Sequence, residues 1–308
     1  MQPALSVVFL TTLIGAGQGL FLALYGAEVA AGTAIDSRFF VTGAAFSLAL
    51  CALGLLASFF HLGRPERAWR AATRWRTSWL SREVIALPAF MALVAAYGAL
   101  RYAGSPWALS VGALAVLACL ALFVCTSMIY ASIRFLQEWA SPYTLPNFLL
   151  MGCASGITLA VALAEVQARP LAWRFAIAAV VTSLAALGVR LASLVRNDRL
   201  RPKSTLQSAI GIANPRIRQK SQGFTASSFN TREFFHGVSP EGMRAVRLTF
   251  IQMAFILPVL LVLGGMKVHS PGMLAAAFGL QYAGLLLERW FFLAQATHPQ
   301  NLYYQARA

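Results

Sequence analysis

The 308-residue sequence predicts an all-α integral membrane protein of eight transmembrane helices with both termini cytoplasmic, and three observations carry that prediction. Hydrophobic residues make up 58% of the chain and charged residues 11%, against about 45–50% and about 25% in an average soluble protein. A soluble chain of this size has no core large enough to hide that much apolar surface. The apolar residues come in charge-free windows of helical length, since a span needs about 20 largely apolar residues. The cations are distributed unevenly among the connections between those windows.

The first window, 1–27, runs uncharged up to Glu28. It lacks a basic leader and is too long for a cleaved signal, so it is expected as a retained span. Asp36 and Arg38 close a short loop, and Phe39 to Gly63 forms the second window. A basic stretch from Arg64 to Arg82 separates it from Val84 to Leu100, which is flanked by Glu83 and Arg101. Tyr102 to Ile133, Trp139 to Ala164 and Phe175 to Val189 follow, the last extended by Arg174 and Arg190 snorkelling outward. Leu248 to Met266 and Val268 to Leu287 complete the eight, joined by a turn at 267–272 that contains Pro271 and Gly272. The runs are continuously apolar, whereas a transmembrane β-barrel would alternate polar and apolar positions. A single membrane domain, 1–308, therefore carries one long basic loop, 197–246, between the sixth and seventh helices.

With eight spans, twenty of the 25 Lys and Arg fall on the side that holds both termini; only Arg38, Arg101, Arg169, Arg174 and Lys267 fall on the other. That asymmetry places the termini in the cytoplasm. It also accounts for the net charge of +15 without nucleic-acid binding.

Cys51, Cys119, Cys125 and Cys153 lie in apolar windows without C-x-x-C grouping, so the chain builds no iron–sulfur cluster and reads as having no metal site. His61, His236, His269 and His298 all lie away from helix centres, which disfavours a haem held between helices; His61 and His298 stay open as a pair.

The informative stretch is His61-Leu62-Gly63-Arg64-Pro65-Glu66-Arg67-Ala68-Trp69, followed by Ser78-Trp79-Leu80-Ser81-Arg82-Glu83. One reading is a plain cytoplasmic connection, with arginines at lipid headgroups and Ser81 capping the third helix. The other rests on His61 and Glu83, ionisable groups at the membrane boundary that are costly unless paired or functional. A histidine and a carboxylate framing one loop suit proton movement and hydrogen bonding to a carbonyl, which is what a quinone requires.

This stretch resembles the membrane anchors of the dimethyl sulfoxide reductase family, the third subunits of molybdenum iron–sulfur oxidoreductases. The family pattern H-L-G-x-P-x-R-A, then N-R, then S-x-L-S-x-E is met by His61, Leu62, Gly63, Pro65, Arg67, Ala68, Arg74, Ser78, Leu80, Ser81 and Glu83. Thr73 stands where the family has asparagine. The resemblance implies a quinone site (ubiquinone or menaquinone) with proton transfer at His61 and Glu83 and with Arg64 and Arg67 as neighbours. It implies no haem, and an iron–sulfur subunit and a molybdopterin catalytic subunit as partners that hold the clusters and the molybdenum cofactor. The location implied is the bacterial inner membrane.

The long loop and the C-terminal stretch Leu287–Tyr304 resemble the anchors associated with cytoplasm-facing sulfite dehydrogenases, within the same broader family. The loop mixes Asn, Thr, Gly and aromatics with its cations, so Arg216, Arg218, Arg232, Phe234 and Phe235 are expected to dock a soluble subunit as well as meet lipid. Glu288 and Arg289 either pair with each other or line the quinone slot. A motif loop on the cytoplasmic side suits sulfite oxidation better than a menaquinol-oxidising dimethyl sulfoxide reductase, whose catalytic subunits are exported. A secondary transporter would gather polar groups at the bilayer midplane rather than at helix ends, and a purely structural anchor would bind no quinone.

Overall fold

The computed structural model describes residues 1–31, 35–60, 62–221 and 229–304, and these contain helices and no strand. In order they are α1 (Leu5–Ala31), α2 (Ser37–Phe59), a 3-10 segment (Pro65–Arg74), α3 (Trp79–Tyr102), α4 (Ala108–Ala131), α5 (Thr144–Gln167) and α6 (Arg169–Asp198). Two short helices follow, α7 (Leu206–Ile210) and α8 (Phe229–Glu233). α9 (Pro240–Ile251), a π turn (Gln252–Ile256) and α10 (Leu257–Val268) form one continuous rod; α11 (Pro271–Ala294) and a 3-10 turn (Pro299–Tyr303) end the chain.

Among the described residues, seven helices are long and apolar enough to cross a membrane: α1 to α6 and the 29-residue rod Pro240–Val268. Helices satisfy their own backbone polar groups, the condition lipid imposes. α11 matches them in length, 24 residues, but carries Gln281, Glu288 and Arg289, all buried. The eighth expected segment is thus a helix whose polar side chains turn into the protein. Large aliphatic residues face outward instead, Leu117 at 64% and Ile177 at 60% exposure among them.

Local chemistry sets the helix ends. Asp36 accepts from the Arg38 N–H at 2.9 Å to start α2, and Ser270 accepts from the Met273 N–H to start α11. Ser78, not Ser81, caps α3; Ser81 is buried one turn inside. The window from Tyr102 to Ile133 is interrupted by a turn before α4, and the sixth helix extends well beyond Phe175–Val189 at both ends. Arg174 is exposed as expected, but Arg190 is 0% exposed and does not snorkel. An inward carboxylate on α11 holds it.

α1 is the central helix, packed against α2, α4, α5 and α11. Its crossing with α5 is backbone on backbone. Gly15 and Gly19 meet Gly152 and Gly156; a Cβ on Gly19 would lie 2.0 Å from the Gly152 carbonyl oxygen, and one on Gly156 2.0 Å from the Leu20 nitrogen. Small residues four apart permit this approach in helices that have no hydrophobic drive to associate in lipid.

Gly156→Val should therefore cost about 1–3 kcal/mol or more through overpacking, seen as a lowered melting temperature and yield in detergent. Gly188→Ala, where a Cβ meets nothing within 4 Å, is the matched control and should leave both unchanged.

Candidate functional site

α3 buries Ser81, Glu83, Leu87, Phe90, Val94 and Tyr97. From Glu83 onward this spacing follows one helical stripe, so the register that packs the aromatic and aliphatic residues also turns Glu83 inward. Glu83 sits at the bundle end that carries the 60–78 connection, 7% exposed, and the Thr126 hydroxyl of α4 donates to its Oε1 at 2.5 Å. The sequence placed this carboxylate at an interface; the fold places it inside.

Four glutamates are buried among the described residues: Glu28, Glu83, Glu165 and Glu288. Three are paired with cations. Glu28 takes Arg101 at 3.2 Å and the Tyr97 hydroxyl at 2.5 Å. Glu165 takes His269 at 3.0 Å and Arg169 at 3.5 Å. Glu288 takes Arg190 at 2.8 Å, with Arg289 at 3.7 Å. Glu83 alone among these four makes no direct ion pair within the described residues. Buried charges without a partner are costly enough to mark a working group.

Glu83 opens onto an internal cavity of about 20 Å³ lined by Thr11, Thr12, Gly15 and Gln18 of α1, Thr126 of α4, Gly152 and Ser155 of α5, and Arg289 of α11, with Ile14, Phe123, Phe148, Met151 and Leu285 completing the wall. That volume holds about one water molecule and no aromatic ring. Thr11, Thr12 and Ser155 donate to carbonyls of their own helices at 2.8–3.1 Å, which leaves hydroxyl lone pairs free to accept. Gln18 donates to the Cys119 carbonyl at 2.9 Å.

Beside the cavity lies a buried charge cluster. Arg190 reaches from α6 to Glu288 between the rings of Phe250 and Phe291. Two turns earlier on α11, Gln281 donates to Ser183 and to the Ala254 carbonyl of the π turn, each at 3.1 Å. Arg289 lies over Phe148 at 3.8 Å and Phe292 at 5.2 Å, its Nε without a protein acceptor. Glu288 and Arg289 do lie within pairing distance, yet Glu288 is held mainly by Arg190, and Arg289 faces the Glu83 cavity.

The other sequence-predicted residues that are described do not converge here. His61 lies outside the described residues. Arg64 and Arg67 are exposed at and within the 3-10 segment, Arg67 beside Glu66 at 3.8 Å. In the 197–246 loop, Arg216, Arg218 and Arg232 are exposed, but Phe234 and Phe235 are half-buried. Phe234 stacks on His298 at 3.8 Å, Phe235 meets Tyr304 edge-on, and the Asn301 amide donates to the Phe234 carbonyl. These phenylalanines fasten α8 to the C-terminal turn. Burial, then the nearby amino terminus, pushes His236 and His298 below the ordinary histidine range, which favours the neutral ring in the stack. Sequence reasoning missed Thr126, Arg190 and the one-water cavity. The stripe from Glu83 to Tyr97 signalled only that Glu83 turns inward, while the helical spacing of Arg190 from Ser183 and Ala186 signalled the burial of Arg190.

Comparison with known proteins finds relatives that span the whole chain. The DMSO reductase anchor subunit (DmsC) family matches residues 1–304. The chain is 50% identical over 327 aligned positions, covering 100% of both chains, to a subunit of the sulfite dehydrogenase of Allochromatium vinosum. It is 34% identical over 135 positions, 42% of this chain and 46% of the relative, to the anaerobic dimethyl sulfoxide reductase chain YnfH of Escherichia coli K12.

Arg190→Met strands Glu288 and should destabilise the protein by about 3–5 kcal/mol, read as a collapse of detergent-solubilised yield and melting temperature. The double variant Arg190→Met with Glu288→Gln should recover most of the loss; no recovery would mean that packing by the guanidinium, not its charge, is what matters.

Proposed function

The chain belongs to the DMSO reductase anchor subunit (DmsC) family, and from that premise we propose that it is the quinone-reactive membrane anchor of a sulfite-oxidising molybdenum iron–sulfur complex. In this reading a molybdopterin subunit oxidises sulfite and water to sulfate, releasing two electrons and two protons. An iron–sulfur subunit passes the electrons to a quinone at this chain, which takes two protons to become quinol. The reaction belongs to the cofactors and the quinone; this chain supplies position, an apolar surface and a proton route.

The observation that carries the reading is Glu83: the family-motif carboxylate is buried at the motif end of the bundle, hydrogen-bonded by Thr126 and, among the described residues, without the ion pair that the other buried glutamates have. A carboxylate so placed gains and loses a proton without dismantling a structural pair. Because the adjoining cavity takes one water, Glu83 acts behind the quinone ring as the proton carrier, and the ring itself lies toward the His61 end of the motif. His61 supplies the hydrogen bond to a quinone carbonyl.

The remaining features follow the same plan. α11 is the eighth span, its polar groups hidden by pairing. Both termini and the motif face the cytoplasm of a bacterium, in agreement with the twenty-to-five division of cations. The iron–sulfur subunit docks over the 197–246 loop through Arg216, Arg218 and Arg232, on a platform braced by the Phe234 and Phe235 contacts. The identity to a sulfite dehydrogenase subunit over the whole chain supports sulfite over dimethyl sulfoxide as the substrate of the complex.

Purification through a tag on this chain should bring down a molybdenum subunit and an iron–sulfur subunit with sulfite-dependent reduction of a soluble quinone analogue. His61→Ala and Glu83→Gln should each lower quinone turnover by about 10²-fold or more while dye-linked sulfite oxidation persists. Unchanged quinone turnover in both variants removes the site assignment, and dimethyl sulfoxide reduction in place of sulfite oxidation reverses the proposed electron flow.

A further inference from the structure

Glu83 and Arg289 approach the same one-water cavity from different helices, α3 and α11. They make no direct ion pair, and each has hydrogen-bonding capacity to spare: Arg289 Nε has no protein acceptor, and the one hydrogen bond at Glu83 comes from Thr126. Both side chains are more than nine-tenths buried. Polar side chains from α1, α3, α4, α5 and α11 reach the cavity, which has room for a molecule with about three hydrogen-bonding partners. We propose that a bound water in this cavity joins Arg289 to Glu83, which makes Arg289 the positioning residue that supplies the counter-charge for the proton Glu83 carries. The inference rests on Glu83 being the proton carrier of the preceding reading.

The chemistry of the lining fixes the water's orientation. The guanidinium is donor only, so the water accepts from Arg289. Its own two hydrogens are then available for the carboxylate and for a hydroxyl such as Thr11 or Ser155, whose protons already go to helix carbonyls. The bridge completes a row of alternating charges across the bundle: Glu83, Arg289, Glu288 and Arg190, drawn from α3, α11 and α6. With Glu83 ionised the row is neutral; when Glu83 takes a proton the row carries one excess positive charge, which favours release of that proton. No atoms beyond the shared proton change partners. A carboxylate alone in an apolar pocket would hold its proton too tightly to serve as a relay, and Arg289 corrects that.

The other titratable groups near Glu83 are few. Arg82 lies on its own helix, Cys125 and Tyr130 lie on α4, and Glu288 neighbours Arg289 on α11. α1 and α5 present only neutral side chains to the cavity. Among the described residues, Arg289 is therefore the one cation that lines the cavity beside the carboxylate.

The test uses the intact complex in its oxidised form. The carboxyl stretching band lost in Glu83→Gln is followed by infrared spectroscopy as a function of pH, a reading that needs no turnover. Arg289→Gln should move that band's midpoint upward by about one pH unit or more, a tenfold or larger gain in proton affinity, and the acid limb of the quinone-reduction profile should move with it. Arg289→Lys keeps the charge and should hold the midpoint near its wild-type position. Ser155→Val fills the water's place without altering either charge and should also raise the midpoint, which keeps the test available if Arg289→Gln fails to assemble. A midpoint unmoved in both Arg289→Gln and Ser155→Val overturns the bridge. A band that moves while Glu83→Gln still reduces quinone normally upholds the bridge and discards the quinone role of Glu83, so the two readings fail separately.

Discussion

The backbone contact between α1 and α5 is the constraint on which the rest of the bundle depends. Gly15, Gly19, Gly152 and Gly156 let the two helices touch through main-chain atoms, and lipid offers no hydrophobic force that would hold them together at a looser spacing. Two of the four glycines, Gly15 and Gly152, also line the Glu83 cavity. The same absence of side chains that permits the crossing leaves a space one water wide beside it. α2, α4 and α11 pack around α1, so the position of every other wall of the cavity is referred to this crossing.

Around that axis, the buried glutamates other than Glu83 enter the interior in compensated form. Arg101 with Glu28, His269 with Glu165 and Arg190 with Glu288 link helices that are separate in sequence. Such pairs give little net stability, because desolvation offsets their attraction, but removing one member is costly. They therefore act as register marks: each fixes which face of one helix meets which face of another. α11 illustrates the effect. Its Gln281 and Glu288 lie seven residues apart and meet Ser183 and Arg190, also seven apart, on α6, so two parallel helices are aligned by two polar contacts at one constant offset.

The hydrophobic pattern made the helices legible because a bilayer demands length and continuous apolarity before anything else. It was silent on direction. The sequence shows that Glu83 and Arg190 stand near helix ends, where a charge reaches water by default; only the packing reveals that both turn inward. The periodicity Glu83, Leu87, Phe90, Val94, Tyr97 carried that information for α3, masked by the apolarity of the helix's lipid-facing side. Phe234 and Phe235 show the converse: aromatics in a polar loop suggested a partner surface, whereas their rings meet the C-terminal turn 60 or more residues later, a pairing no local pattern encodes. Ser78 and Ser81 are both plausible caps three residues apart, and the choice fell to backbone geometry at Ser78, which is extended where Ser81 is already helical.

The proton-handling role proposed for Glu83 and an exposed basic loop fit one physical demand. Each electron that reaches a quinone in low dielectric leaves a negative charge whose stabilisation requires either a proton or a nearby cation. Placing proton uptake at the face where electrons arrive shortens both routes and spares the chain a charged path through the hydrocarbon. The Glu28, Tyr97 and Arg101 cluster near the far ends of α1 and α3 is, by contrast, closed by its own ion pair and hydrogen bond. In the proposed reading one end of this bundle exchanges protons, while the Glu28 end is closed by its own pairing.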